Sequence, residues 1–296
     1  MNANTTGGAV AIREIGLVSH DGLRLAGEVH GGAQGQSILL LHGGGQSRSA
    51  WRGAARRLAA AGYRACAFDL RGHGDSDWSP DAAYGLDAFV MDLVAAIEAM
   101  GSPAILVGAS FGGHVAVLTA ARRPDLCRAL LLADVTPWID EAAGDHFRGT
   151  LRTSADGFAS VEEAAAMIAR LHGDPATLAD PARLRRHMRI GADGRLHWKW
   201  DMRFLNDAHL RRGGEQGLFV AEALKLSVPV LVMAAEHSNL TTQAEIDAFR
   251  NAVPGVEAVT IAGARHMLTG DVNDAYAEAI IAFIERLGES VVKAST

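Results

Sequence analysis

The run Ile105-Leu106-Val107-Gly108-Ala109-Ser110-Phe111-Gly112-Gly113-His114-Val115-Ala116 reads as a short buried strand, a tight turn and the start of a helix. The apolar stretch Ala104 to Val107, opened by Pro103, lacks the polar alternation of a half-exposed strand. The helix is expected to begin near Phe111 and continue to Arg122, with Pro124 ending it. Ser110 falls at the corner, with Gly108 and Gly112 two residues to either side. A serine on so sharp a turn needs small neighbours, because a side chain at either flanking position would meet the other arm. The turn lifts the hydroxyl clear of the sheet and sets it at a helix N-terminus, where negative charge is favoured.

Working outward, strand and helix signals alternate along the chain. Two short alternating segments, Ile12 to Val18 and Leu23 to Val29, flank His20-Asp21-Gly22, a strong hairpin signal. The apolar run Ile38 to Leu41 ends in His42-Gly43-Gly44-Gly45, and a helix is expected from about Ser49 to Ala61. Arg64 to Phe68 reads as the next strand and leads into Asp69-Leu70-Arg71-Gly72-His73-Gly74-Asp75-Ser76-Asp77. Leu86 to Met100 has helical spacing, and Ala129 to Ala133 is a further buried strand ending at Asp134. Strand logic resumes at Val228 to Met233, followed by a helix near Gln243 to Ala252 and a strand over Val256 to Ile261. The turn Gly263-Ala264-Arg265-His266-Met267 then precedes a last helix, expected from Asn273 to Leu287 with Gly288 as its stop. Continuous apolar strands alternating with helices indicate a parallel sheet covered on both faces. Between Asp134 and Ser227 the alternation stops, and helical pieces are expected at Val161–Leu171 and Ala182–Ile190.

Bulk properties narrow the function classes. A chain of 296 residues with 49% hydrophobic and 21% charged residues fits a soluble α/β domain with an insertion. Its net charge of −6 argues against nucleic acid or an acidic membrane surface as partner. No uncharged apolar run approaches the ~18 residues of a membrane span. Met1 to Gly8 is polar, so no secretory leader is expected. The two cysteines, Cys66 and Cys127, sit in apolar surroundings and are expected as buried free thiols, consistent with a reducing, cytoplasmic setting.

The order of parts is a glycine loop, a serine corner, an insertion, a late strand and a histidine. Through His42-Gly43-Gly44-Gly45, Asp69-Leu70-Arg71-Gly72-His73-Gly74-Asp75-Ser76, Gly108-Ala109-Ser110-Phe111-Gly112-Gly113 and Gly263-Ala264-Arg265-His266, the chain resembles a capped serine hydrolase of the α/β-hydrolase superfamily. The resemblance spans roughly Ile12 to Leu287, and it is specific for the fold, not for a substrate. It implies a mostly parallel eight-stranded sheet with helices on both faces and a helical cap inserted after strand 6. Residues 1–134 and 228–296 would then form the core and 135–227 the cap.

The resemblance implies a role for each part. Ser110 is the expected nucleophile and His266 the base that takes its proton. The N–H groups of Phe111 and Gly44 would form the oxyanion hole, while His42, His73 and Asp75 would brace loops. The usual acid position is where this sequence departs, because the loop after Val228–Met233 reads Ala234-Ala235-Glu236-His237-Ser238-Asn239-Leu240. Asp134 is favoured as the acid, with Glu236 and Asn239 as alternatives. Trp138, Trp198, Trp200 and Phe204 are candidate substrate contacts, although such rings can equally pack a cap on a sheet. No metal-ligand spacing and no Gly-Lys-Ser/Thr phosphate loop appears, so no cofactor or metal is expected. The expected activity is cofactor-independent cleavage of a small-molecule carboxylic ester, or of a lactone or thioester, by a monomer or homodimer. Two alternatives are carbon–carbon bond hydrolysis with the same residues and a non-catalytic ligand-binding member of the fold.

Overall fold

The computed structural model describes residues 12–101, 103–138, 148–171, 181–206, 214–238, 241–264 and 273–294. Its strands are β1 (Ile12–Val18), β2 (Arg24–His30), β3 (Ser37–Leu41), β4 (Arg64–Phe68), β5 (Ala104–Ala109), β6 (Cys127–Ala133), β7 (Met188–Ile190), β8 (Leu196–Trp198), β9 (Val230–Ala235) and β10 (Val256–Ile261). The principal helices are α1 (Arg52–Ala60), α2 (Leu86–Met100), α3 (Phe111–Arg122), α4 (Val161–Leu171), α5 (Gly214–Ala223), α6 (Gln243–Ala252) and α7 (Asn273–Ala294).

Eight strands form one sheet in the order β1-β2-β4-β3-β5-β6-β9-β10. The hairpin β1–β2 joins β4 antiparallel, and every other pairing in this sheet is parallel. Every residue of β3, β5 and β9 is buried, as expected of strands covered on both faces. Alternate residues of β5 divide between two cores. Ile105, Val107 and Ala109 pack with Trp51 and Leu58 at the α1 end and with Tyr276, Ile280 and Phe283 of α7. Ala104 and Leu106 pack with residues of α2, α3 and α6. Each fully buried Leu, Ile or Val contributes about 1.5–3 kcal/mol, so this double burial is what holds β5 at the centre.

The strand order reverses at β3 and β5. After β3 the chain moves outward to β4, then returns to the other side of β3 with β5 and proceeds to β6, β9 and β10. In an open parallel sheet the crevice at the carboxyl ends of the strands flanking such a reversal is where ligands bind. The two loops leaving that point are Gly43–Gly45 after β3 and Ser110 after β5.

Two stretches differ most from expectation. Within the insertion, the predicted helix over Ala182–Ile190 is a single turn at Pro181–Leu184, a 3₁₀ turn, and then β7, which pairs antiparallel with β8 from Met188↔Trp198 to Ile190↔Leu196. The insertion is therefore mixed in structure. Gly191 and Gly194 supply the bend, and pairing with β8 outweighs the helix propensity of the preceding arginines. At the C-terminal end α7 runs through Gly288 to Ala294. A glycine costs a helix interior only about 1 kcal/mol, so it does not by itself end one.

Candidate active site

Ser110 leaves β5 with φ 46° and ψ −121° and caps α3. It is one of three non-glycine residues with positive φ among the described residues. The flanking glycines explain how the turn closes. A Cβ on Gly108 would stand 2.5 Å from the Gly112 carbonyl oxygen, and one on Gly112 would stand 2.5 Å from the His42 carbonyl oxygen. A Cβ on Gly113 would meet Val135 at 2.4 Å, so α3 lies against the strand ends with no room for side chains. The Ser110 N–H donates to the Ala133 carbonyl at 3.3 Å, which ties the corner to the end of β6.

The loop after β3 lies against this corner: a Cβ on Gly43 would be 3.3 Å from the Ser110 Cβ. Gly43 N–H donates to Gln46 Oε1 at 3.0 Å, and Gln46 N–H returns a bond to the Gly43 carbonyl at 3.1 Å. Among the described residues, neither the Gly44 nor the Phe111 N–H donates to an acceptor. Both remain available to a ligand.

Two buried histidines brace the loop. His42 Nε2 accepts from the Leu70 N–H at 3.0 Å, so its proton resides on Nδ1, which donates to the Gly43 carbonyl at 2.7 Å. His73 repeats the pattern, with Nε2 accepting from the Gly45 N–H at 3.1 Å and Nδ1 donating to the Arg71 carbonyl at 3.0 Å. Burial lowers the His42 pKa to about 4 and the His73 pKa to about 3, so both rings are neutral near pH 7. The turn carrying His73 is itself fixed. Asp69 is fully buried, pairs with Arg48 and accepts the Asp75 N–H at 2.9 Å. Arg71, also fully buried, forks onto Asp92 with two bonds of 2.6 Å and reaches Asp21 at 2.9 Å.

Asp134 follows β6 with φ 51° and is 2% exposed. One carboxylate oxygen accepts the Ala235 N–H at 3.1 Å, which aims the group across the carboxyl end of β9. Tyr276 of α7 is fully buried nearby; burial, and then the Asp134 charge, push its hydroxyl above the ordinary range. Glu236 is engaged differently. It accepts the Gly263 N–H at 2.7 Å, while the Glu236 and His237 N–H groups donate to Ile261 and Ala264. The exposed Glu236 carboxylate thus pins the turn that follows β10. His266 and Asn239 lie outside the described residues.

The four aromatic candidates separate into two groups. The Phe204 ring packs edge-on against Phe111 at 4.9 Å, and one of its carbons is 3.4 Å from where a Gly44 Cβ would be. Trp200 stacks on His73 at 6.1 Å, with its indole nitrogen 3.6 Å from the Cβ position of Gly45. Trp198 packs within the insertion, on Phe158, with its indole N–H donating to Ser154 at 2.9 Å. Trp138 is half-buried against Phe249 of α6. Sequence reasoning did not foresee Gln46, or the trio of Tyr84, Asp201 and Arg203 beneath Phe204. Gln46 had a signal, as the first amide after the three glycines. The trio had none, because Tyr84 lies far from the other two in the chain.

Among the described residues, the single cluster with metal-ligand spacing is His20, Asp21 and Asp92. The Arg71 guanidinium already occupies both oxygens of Asp92 and bonds Asp21. Its charge compensates those carboxylates. A shallow surface groove lined by Gly74–Trp78, Arg189 and Lys199 includes none of Ser110, Gly44, Phe111 or Asp134. Cys66 and Cys127 are buried free thiols, each with its pKa pushed up by burial to about 12. No helix among the described residues is long and apolar enough to cross a membrane.

The chain is similar to known proteins in sequence and in fold. A family model described as "Serine aminopeptidase, S33" matches residues 32–273. The sn-1-specific diacylglycerol lipase ABHD11 of Mus musculus is 26% identical over 255 residues, covering 84% of this chain and 80% of that protein. The 2-(acetamidomethylene)succinate hydrolase of Mesorhizobium japonicum is 28% identical over 225 residues, covering 75% of this chain and 79% of that protein. A crystal structure of E-2-(acetamidomethylene)succinate hydrolase superposes with a TM-score of 0.78 at 25% identity, covering 93% of this chain and 100% of that one.

Proposed function

The chain belongs to the serine aminopeptidase S33 family of α/β-hydrolases and is a hydrolase, and from that premise we propose that it cleaves a small-molecule carboxylic ester through Ser110, His266 and Asp134. The observation that carries the reading is Ser110 itself. It is a positive-φ serine at the sheet's reversal point, beside two undonated N–H groups and one strand away from a buried carboxylate. The relative named as a lipase supports an ester as the substrate class. The two buried thiols are in keeping with a reducing compartment.

In this mechanism Ser110 Oγ attacks the ester carbonyl carbon while the His266 imidazole takes its proton. The oxyanion that forms is received by the N–H groups of Gly44 and Phe111. Each donor of this kind is worth about 2.7–4 kcal/mol in the transition state, because it is already oriented and needs no reorganisation. Collapse expels the alcohol, protonated by His266, and leaves an acyl-serine. His266 then removes a proton from water, which attacks the acyl carbon, and breakdown frees the acid and restores Ser110. Asp134 holds the imidazole in the required tautomer and stabilises its charged form. Its burial and the fixed Ala235 bond support that role, whereas Glu236 is exposed and already accepts from Gly263. Residues 135–227 would serve as the cap over a core of 1–134 and 228–296.

The test has two arms. A fluorophosphonate probe followed by mass mapping should modify Ser110, and an unmodified Ser110 sinks the hydrolytic reading. On one p-nitrophenyl ester, Asp134→Asn should lower kcat by about 10⁴, while Glu236→Gln and Asn239→Asp leave it nearly unchanged. A silent Asp134→Asn together with a large gain in Asn239→Asp would move the acid to the loop after β9.

A further inference from the structure

We infer that Trp200 and Phe204, supplied by the insertion, are positioning residues of the oxyanion hole: they clamp the Gly43–Gly45 loop in its working geometry and do not primarily contact substrate. The inference rests on the reading of Gly44 and Phe111 as oxyanion donors.

Three consecutive glycines make this loop expensive to order, since glycine loses more backbone freedom than any other residue. The loop's own bonds, through Gln46, fix only Gly43. What meets Gly44 and Gly45 comes from outside. Phe204 closes over both proposed donors at once, being edge-on to Phe111 at 4.9 Å and 3.4 Å from the Gly44 Cβ position. Trp200 backs Gly45 directly and stacks on His73, whose Nε2 holds the Gly45 N–H at 3.1 Å. The two rings are 3% and 4% exposed, enclosed by one another and by Tyr84, Phe89, Phe111 and His73. Little of either surface is left to offer a substrate.

The clamp is rigidly mounted. The Gly74 N–H donates to the Lys199 carbonyl at 2.7 Å and the Asp201 N–H to the Gly72 carbonyl at 2.8 Å, so this segment is stitched to the His73 turn. Asp201 accepts from the Tyr84 hydroxyl at 2.6 Å and from the Arg203 guanidinium, which also bonds the carbonyls of Ser79 and Pro80. Burial disfavours the Asp201 carboxylate, but the Arg203 and Tyr84 hydrogen bonds outweigh it and hold its pKa below the usual range. Phe204 then follows within one 3₁₀ turn, its N–H donating to the Asp201 carbonyl at 2.9 Å.

The experiment compares wild type with Phe204→Ala, Phe204→Leu and Trp200→Phe on p-nitrophenyl acetate, butyrate and octanoate. Ser110 modification by the fluorophosphonate and thermal unfolding are followed in parallel. A loosened donor should lower kcat and the modification rate together by roughly tenfold or more in Phe204→Ala, equally for all three chain lengths and with KM nearly unchanged. Phe204→Leu and Trp200→Phe, which preserve most of the volume, should show a smaller loss of the same kind, and they decide the matter if the alanine variant does not fold. A raised KM with kcat intact, or an altered chain-length preference, would make these rings substrate contacts and overturn the inference. So would wild-type rates in all folded variants. If wild type itself leaves Ser110 unmodified, the failure belongs to the hydrolase reading instead.

Discussion

At Ser110 the backbone holds φ 46° and ψ −121°, a conformation that costs a non-glycine residue about 1–3 kcal/mol and persists only where its surroundings enforce it. Gly108 and Gly112 are the enforcement. With a Cβ on Gly112 placed 2.5 Å from a backbone oxygen and 2.8 Å from the Leu41 Cβ, Gly112→Ala has no flexible neighbour to push aside. It should lower the unfolding free energy by about 3 kcal/mol or more, read from urea melts, and a change under 0.5 kcal/mol would mean that the corner is looser than described. Gly108 was legible in the sequence because its clash is local, with the Gly112 carbonyl in the next turn of chain, whereas Gly112 is confined by His42 and Leu41 from the distant loop after β3. Asp134 could be favoured from the sequence as a strand-end acid, but its geometry could not be read there. Its own positive φ and its bond to Ala235, a hundred residues on, depend on which strand lies beside β6.

Among the elements, α6 is the one whose start is chemically explicit. Thr242 Oγ1 accepts the Glu245 N–H at 3.3 Å and the Glu245 carboxylate accepts the Thr242 N–H at 2.6 Å, a reciprocal cap. Thr242→Ala should destabilise the protein by about 1 kcal/mol, with Thr242→Ser close to wild type, as thermal or urea unfolding would register. Most elements could be read from their pattern, because burial on both faces writes itself as unbroken apolar runs in β3, β5 and β9. The hairpin β7–β8 could not. Its strands are three residues each, and Met188–Ile190 follows directly on a run of arginines, so no period emerges above the helix-favouring composition. Gly288 shows the converse, a stop signal in the sequence through which the helix nonetheless continues.

For the molecule as a whole, the interior holds charge states that depend on pH. The folded pKa values of His42 and His73, about 4 and about 3, lie below the ordinary 6.5, so the unfolded chain binds more protons throughout that interval. Stability is complete above pH 6.5 and should decline as pH falls through 6 toward 4, by about 2 kcal/mol per ring at pH 5. The difference in urea midpoint between pH 7 and pH 5 measures this, and His73→Gln, whose amide oxygen can still accept the Gly45 N–H, should shrink it. An undiminished difference would place the acid sensitivity elsewhere. Strand order was the least legible property at this scale. Nothing along the chain says that β4 lies outside β3, or that β5 returns to β3's other edge, since both are choices among non-local pairings. The same order has a consequence for exchange. β6 and β9 are neighbours from Leu130↔Val230 to Ala133↔Met233, so the long insertion departs from and re-enters the sheet at adjoining strands. A foreign segment of another length joined at these two adjoining strand ends should leave the strand order unchanged, which a circular dichroism spectrum and unfolding curve of such a chimera would check. A chimera made there would keep the scaffold yet inherit an unsupported glycine loop, unless the graft brought its own equivalents of Trp200 and Phe204. Modularity of the architecture is therefore not modularity of the chemistry.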